Sequence, residues 1–222
     1  MKLRRCWTAA MAALMAGSAG AAMPAAGQET GIKGGVSISR LQTDGAEYWD
    51  DNLVTSTFGG HARFRLGPLV LQPELLVVTK GASASQPFPA DLEDDQIRME
   101  YIEVPLMIVV PVSIGMVEPY VMGGPALMLE SRCRSYVRQD GLRTNLPCDP
   151  PQGQLFRRTA FDYGVAAAGG VAYPVFGGRA FVEGRHTWGL RNIHKGPGDA
   201  DVRNRTLSFL VGFAMGWDPA PQ

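Results

Sequence analysis

Bulky apolar side chains recur at every second position over residues 204–217. Leu207, Phe209, Val211, Phe213, Met215 and Trp217 alternate with Thr206, Ser208, Leu210, Gly212, Ala214 and Gly216, so one face of a strand carries bulk and the other mostly small groups. The same period marks seven further segments, near residues 31–41, 56–66, 69–81, 97–111, 116–131, 159–173 and 179–190. In the first, Ile32, Val36 and Ile38 oppose Lys33, Ser37 and Ser39; in the second, Phe58, Phe64 and Leu66 oppose His61, Arg63 and Arg65. Leu69, Leu71, Leu75 and Val77 of the third oppose Gln72, Glu74 and Lys80. Residues 102–112 are almost continuously apolar, and placing Ile102, Val104, Leu106, Ile108 and Val110 outward leaves Glu103 inward. Glu118, Tyr120 and Met122 follow as an inward set. Over 159–173, Phe161, Tyr163, Val165, Val171 and Tyr173 oppose Asp162, Gly164, Ala166, Ala168 and Gly170. Over 179–190, Val182, Trp188 and Leu190 oppose Glu183 and Arg185, with His186 a polar exception on the apolar face.

The connections alternate in length. Those at 66–68, 111–115 and 174–178 are tight and rich in Gly or Pro, whereas 42–55, 82–96, 132–158 and 191–203 are long and mostly polar. A β-sandwich has no reason to sort its connections this way. An outer-membrane barrel does, with short periplasmic turns at one end and long external loops at the other. The predicted fold is therefore all-β: an eight-stranded antiparallel up-and-down transmembrane β-barrel. Leu207, Phe209, Val211, Phe213, Met215 and Trp217 are its expected lipid-facing residues on the last strand. A sandwich strand with its bulky face in a protein core is the competing reading of each segment taken alone.

Residues 1–27 read as an export signal, with Lys2, Arg4 and Arg5 before an apolar stretch and a run of small residues. The stretch is too short for a membrane helix, which needs about 20 apolar residues. The expected organisation is a signal at 1–27, a barrel domain at 28–217 and a tail at 218–222. Without the signal, 18 basic residues face 21 acidic ones, and no basic stripe suggests a nucleic-acid partner. Cys133 and Cys148 are then an even pair in an exported chain and are expected to bridge, closing a loop worth roughly 3 kcal/mol in the chain-entropy model.

The inward assignments bring Glu74, Glu103, Glu118, Asp162 and Glu183 together with Lys33, Arg63, Arg65 and Arg185. Eight strands leave an interior just wide enough to be filled by side chains, so these charges are expected to pair across it instead of lining an open pore. No catalytic, cofactor-binding or metal-binding set is expected, since no nucleophile and base stand at a recognisable spacing and two cysteines with no nearby histidine do not make a metal site. The glycine pairs at 34–35, 59–60, 123–124 and 169–170 lie within strands and precede no helix, which excludes phosphate loops.

Several blocks, taken in order, resemble the PorT-like family of outer-membrane β-barrels: GIKGGVSIS at 31–39, LVLQPELLVVTKG at 69–81, YIEVPLMIVVP at 101–111, EPYVMGGPALML at 118–129, DYGVAAAGGV at 162–171 and FVEGRHTWGLRNI at 181–193. The resemblance implies an eight-stranded barrel in a Gram-negative outer membrane, exported through the periplasm. It implies no defined activity for most members and a secretion or assembly role for some. Residues 212–217 also look like the terminal signal read by the barrel assembly machinery. The Cys133–Cys148 segment departs from the family in being long and basic, with Arg132, Arg134, Arg138, Arg143, Arg157 and Arg158 in or beside it. The expected role is structural, or that of an interaction or assembly factor working through external loops. The expected partners are outer-membrane lipid, lipopolysaccharide and an envelope protein. A lipid-modifying barrel enzyme that needs His61, His186 and Glu183 is one alternative; a secreted soluble barrel with a ligand inside is another.

Overall fold

The computed structural model describes residues 28–43, 51–66, 69–83, 92–112, 114–139, 142–148, 160–193 and 201–216. The expected signal segment, Trp217, the tail and the arginines at 157 and 158 lie outside the described residues. Among the described residues there are nine strands: β1 (Gln28–Thr43), β2 (Leu53–Leu66), β3 (Leu69–Ser83), β4 (Leu92–Pro111), β5 (Glu118–Gln139), β6 (Leu142–Pro147), β7 (Phe161–Val175), β8 (Gly178–Gly189) and β9 (Val202–Met215). All pairings are antiparallel. β1 pairs with both β2 and β9, and β4 with β5, so β1–β2–β3–β4–β5–β7–β8–β9 closes into an eight-stranded barrel, while β6 is added to β5 alone. Closure leaves none of the eight barrel strands with an open edge, which a bilayer would not tolerate, and among the described residues the one free edge is that of β6 in the arm.

Alternation settles which way each strand faces. On β9, Phe209 is 53% and Val211 62% exposed, whereas Ser208 is 4% and Leu210 2% exposed. Ile32, Val36, Phe58, Val104, Leu106, Ile108, Val110, Val121, Leu127, Val171 and Val182 continue the same apolar belt around the other strands. The soluble-barrel alternative requires these faces to line a cavity, and they lie outside. Phe213 is half-buried because its ring lies against the glycine at 178, where an added Cβ would sit 2.5 Å from Phe213 Cζ. Gly212 is small because its inward side is already occupied. A side chain there would run into the buried Phe181 ring and the Ile32 carbonyl.

The region expected to be one loop from 132 to 158 is partly strand. β5 continues to Gln139 beside the first residues of β4, and β6 folds back onto it with Arg134 opposite Pro147 and Gln139 opposite Leu142. A bulge explains why alternation could not reveal this. Tyr101 pairs with Glu130 but Glu100 pairs with Arg132, so Ser131 is an extra residue and the inward parity switches from Met128 to Cys133. Cys133 and Cys148 are disulfide-bonded with their Cα atoms 5.5 Å apart. Both are buried in a cluster with Leu41, Ala82, Ile97, Met99, Tyr101, Met128, Ile193 and Val202. The bridge therefore ties the β5–β6 arm to an apolar cap over the long-connection end of the lumen.

Candidate functional site

Inward-facing polar side chains form three tiers along the barrel axis. Nearest the short turns, Arg179 of β8 donates to Glu118 Oε1 at 2.5 Å and also bonds Glu29 of β1. Arg63 Nη1 lies 3.5 Å from Glu29 Oε1 and 3.9 Å from Glu118 Oε1. His61 stands 3.7 Å from Glu29 through Nε2 and turns its ring edge-on to Phe181.

The middle tier is a four-charge cluster. Lys33 Nζ is 2.9 Å from Glu74 Oε1 and 3.2 Å from Glu183 Oε2, and Arg185 Nη2 is 2.7 Å from Glu74 Oε2 and 3.0 Å from Glu183 Oε1. Two cations face two anions with all four side chains nearly sealed from solvent, so local neutrality offsets the desolvation of each charge. Gln72 links this tier to the first: it accepts from Arg63 Nε at 2.7 Å and donates to Glu74 at 2.7 Å. Tyr120 donates its hydroxyl to Glu183 at 3.3 Å.

In the third tier Lys80 Nζ is 2.8 Å from Glu103 Oε2, and Thr187 donates to the same carboxylate at 3.5 Å. Asp162 accepts from Asn204 Nδ2 at 3.0 Å and from the Tyr163 backbone N–H at 2.8 Å. Ser37 bonds Thr57 and Ser208 at 2.5 and 2.7 Å, tying β1 to both neighbours. The tiers occupy the lumen with side chains from every barrel strand.

Of the residues expected inside, Lys33, Arg63, Glu74, Glu103, Asp162, Glu183 and Arg185 are buried and Glu118 is half-buried. Arg65 departs from the expectation. It shares the inward parity of Arg63 but lies next to the last residue of β2, at the rim, and is exposed. Glu29, Lys80 and Arg179 belong to the interior and were not in the expected network. Glu29 precedes the predicted start of its strand, whereas Lys80 and Arg179 carry the correct parity, so the signal for them was present. His61 and Glu183 face the interior while His186 lies on the outer wall, so the three residues a lipid-modifying centre would need do not converge. Among the described residues no group of three or more His, Cys, Asp or Glu side chains is placed to hold a metal ion.

On the outer face of the wall at its long-connection end, the distal parts of β4 and β5 carry a second concentration of charge. Arg98 is in register with Arg134 and Glu100 with Arg132, and Arg138 follows further along. Arg98 donates to Gln96 at 2.9 Å and covers the Tyr136 ring at 5.2 Å, whereas Arg132 is only 3.9 Å from Glu100 and more than half exposed. The arm thus offers several guanidinium groups on a stiff, disulfide-anchored sheet.

Comparison with known proteins finds one family and several solved structures. No curated protein matches the sequence significantly. Solved structures that align with the chain include Neisserial surface protein A, at 12% identity over 86% of this chain and 98% of that one with a TM-score of 0.44. Ail, the attachment invasion locus protein of Yersinia pestis, aligns at 13% identity over 85% and 99% with a TM-score of 0.44. The N-terminal β-barrel domain of Pseudomonas aeruginosa OprF aligns at 9% identity over 83% and 97% with a TM-score of 0.32. The family model described as outer membrane protein beta-barrel domain matches residues 24–195, most of the chain. With a closed eight-stranded barrel, an apolar outer belt and a charge-filled lumen already in view, the chain belongs to the outer-membrane-protein β-barrel family.

Proposed function

We propose that this protein is a non-enzymatic interaction barrel of a Gram-negative outer membrane, exported through the periplasm, whose external arm recognises an acidic partner at the cell surface. The observation that carries this reading is the arm itself. β4 and β5 run on past the apolar belt, and the bulge at Ser131 and the Cys133–Cys148 bridge fix Arg98, Arg132, Arg134 and Arg138 on a rigid support. Guanidinium groups held on a stiff sheet lose little freedom when they bind phosphate or carboxylate. The lumen is built for stability: its charges are committed to one another. The long connections, and with them the arm, are placed outside by the usual asymmetry of such barrels. The order of the Gln-Pro-Glu-Leu and Glu-Val-Pro-Leu strands favours the PorT-like branch of the family. Phe213 and Met215, on the strand that closes the barrel against β1, suit recognition by the assembly machinery.

The test uses the folded barrel in micelles and deacylated lipopolysaccharide as a soluble phosphorylated probe, followed by calorimetry. Binding that weakens with salt and is lost in an Arg98→Gln/Arg132→Gln/Arg134→Gln/Arg138→Gln variant supports the reading. Equal binding by the variant, or chemical change of the probe on incubation, contradicts it.

A further inference from the structure

The apolar belt ends abruptly at the long-connection ends of β1, β8 and β9. Ile38 is in register with Leu207, and at the next outward position Arg40 is in register with Arg205. On the other side of β9, His186 pairs with Leu207 and Trp188 with Arg205. Two guanidinium groups therefore stand side by side at the edge of the belt, an arrangement that like-charge repulsion disfavours. No carboxylate among the described residues pairs with either: Arg205 donates from Nε to Gln42 at 2.9 Å, and nearby Arg203 is engaged by Asp201. Both charges also act on His186, whose ring packs against Trp188 at 4.2 Å and whose Nδ1 is buried without a hydrogen-bond partner.

A shallow groove of about 440 Å³ runs down the outer wall from this patch. Val121, Trp188 and Leu207 form its walls, and Ala167, Gly169 and Gly184 its floor. Gly184 serves no packing need, since a Cβ there would meet nothing within 4 Å. Its missing side chain leaves the groove open.

We propose that Arg40 and Arg205, with His186 and Trp188, bind the phosphate of an anionic lipid of the surrounding leaflet, one acyl chain of which lies in the groove. A phosphate between two guanidinium groups removes their repulsion and accepts charge-assisted hydrogen bonds from both. Trp188 sits where an indole is favoured, between hydrocarbon and head groups. The apolar groove selects a lipid over a free phosphate, and the paired positive charge selects an anionic head over a zwitterionic one. The site rests on the outer-membrane reading of the barrel and is independent of what the arm binds.

The experiment is native mass spectrometry of the full chain released from octyl glucoside micelles, with diphosphoryl lipid A, dimyristoyl phosphatidylcholine or inorganic phosphate added. Wild type is expected to retain lipid A in preference to phosphatidylcholine. The Arg40→Gln/Arg205→Gln variant, which relieves a repulsion and so folds at least as readily, is expected to bind at least about tenfold more weakly. Gly184→Leu is expected to weaken binding severalfold with both arginines in place. Undiminished retention by the double arginine variant, equal retention of phosphatidylcholine, or displacement of lipid A by an equal concentration of inorganic phosphate overturns the proposal. Heat-modifiable gel migration is recorded for each sample, and its absence in wild type counts against the membrane barrel itself.

Discussion

Replacing Glu74 by Gln removes one of the two anions of the middle tier and leaves Lys33 and Arg185 to share Glu183. Lys33 lies 2.9 Å and Arg185 2.7 Å from the Glu74 carboxylate. At an effective dielectric of about 20, each contact is worth roughly 6 kcal/mol before desolvation is counted. Desolvation and relaxation offset much of that, and breaking a buried pair by removing one partner has a net effect of about 3–5 kcal/mol. The amide oxygen can still accept from Gln72 Nε2, but the amide NH2 takes the place of the oxygen that faces Arg185, so the loss combines the charge imbalance with one lost acceptor. A Lys33→Met/Glu74→Gln double variant restores one cation to one anion and is expected to recover at least about 2 kcal/mol of the loss, because a charge-balanced apolar replacement is close to neutral. Urea unfolding in micelles, followed by tryptophan fluorescence and by the fraction of the heat-modifiable form, reads both effects. A Glu74→Gln variant within about 0.5 kcal/mol of wild type, or a double variant whose loss equals the sum of the singles, refutes the claim that the tier is held by mutual neutralisation.

The remaining predictions concern the arm, the glycines and the outer belt. A Cys133→Ala/Cys148→Ala variant is expected to keep the barrel melting temperature within a few degrees of wild type while trypsin cuts at Arg134 and Arg138 much faster, since the bridge closes a local 15-residue separation; equal cleavage rates contradict this. Gly212→Ala is expected to lose about 1–3 kcal/mol in the urea titration through overpacking against Phe181, whereas Gly184→Ala changes stability by less than about 0.5 kcal/mol because its Cβ meets open space. Val211→Arg, near the middle of the β9 lipid face, is expected to lose about 2–4 kcal/mol, and a neutral result there argues against burial in hydrocarbon.

Most of the fold was legible because a membrane barrel writes its inside and outside into alternate residues. On β9, β7 and β8 the apolar and small or polar faces separate, with His186 outside and Phe181 and Leu210 inside among the exceptions, and even the nearly continuous apolar run of β4 resolves once Glu103 fixes its parity. Parity reading fails where the count slips. The extra residue at Ser131 inverts the pattern, so the distal half of β5 reads as loop and β6, only six residues long, leaves no period to detect. The same method reports which face a charge is on but not how deep it lies. Arg65 and Arg63 share a face, yet one is at the rim and the other buried. Lys80 and Arg179 were on the correct face, but naming their partners requires the register and strand order: Lys80 meets Glu103 of the adjacent β4, and Arg179 of β8 reaches past β7 to Glu118 of β5. The anionic-lipid patch was hidden for a related reason. Arg40 and Arg205 become neighbours only when β9 closes onto β1.

The central claim is that the bulky face of β9 meets lipid on a closed barrel. Single cysteines introduced one at a time at positions 207–215, spin-labelled in protein reconstituted into lipid vesicles, test it directly, with Cys133 and Cys148 kept out of reach by their disulfide. Oxygen, which concentrates in hydrocarbon, should collide most with labels at 207, 209, 211, 213 and 215 and least at 208, 210, 212 and 214. Absence of that alternation, or preferential access of a water-soluble relaxant to the odd positions, would contradict the account.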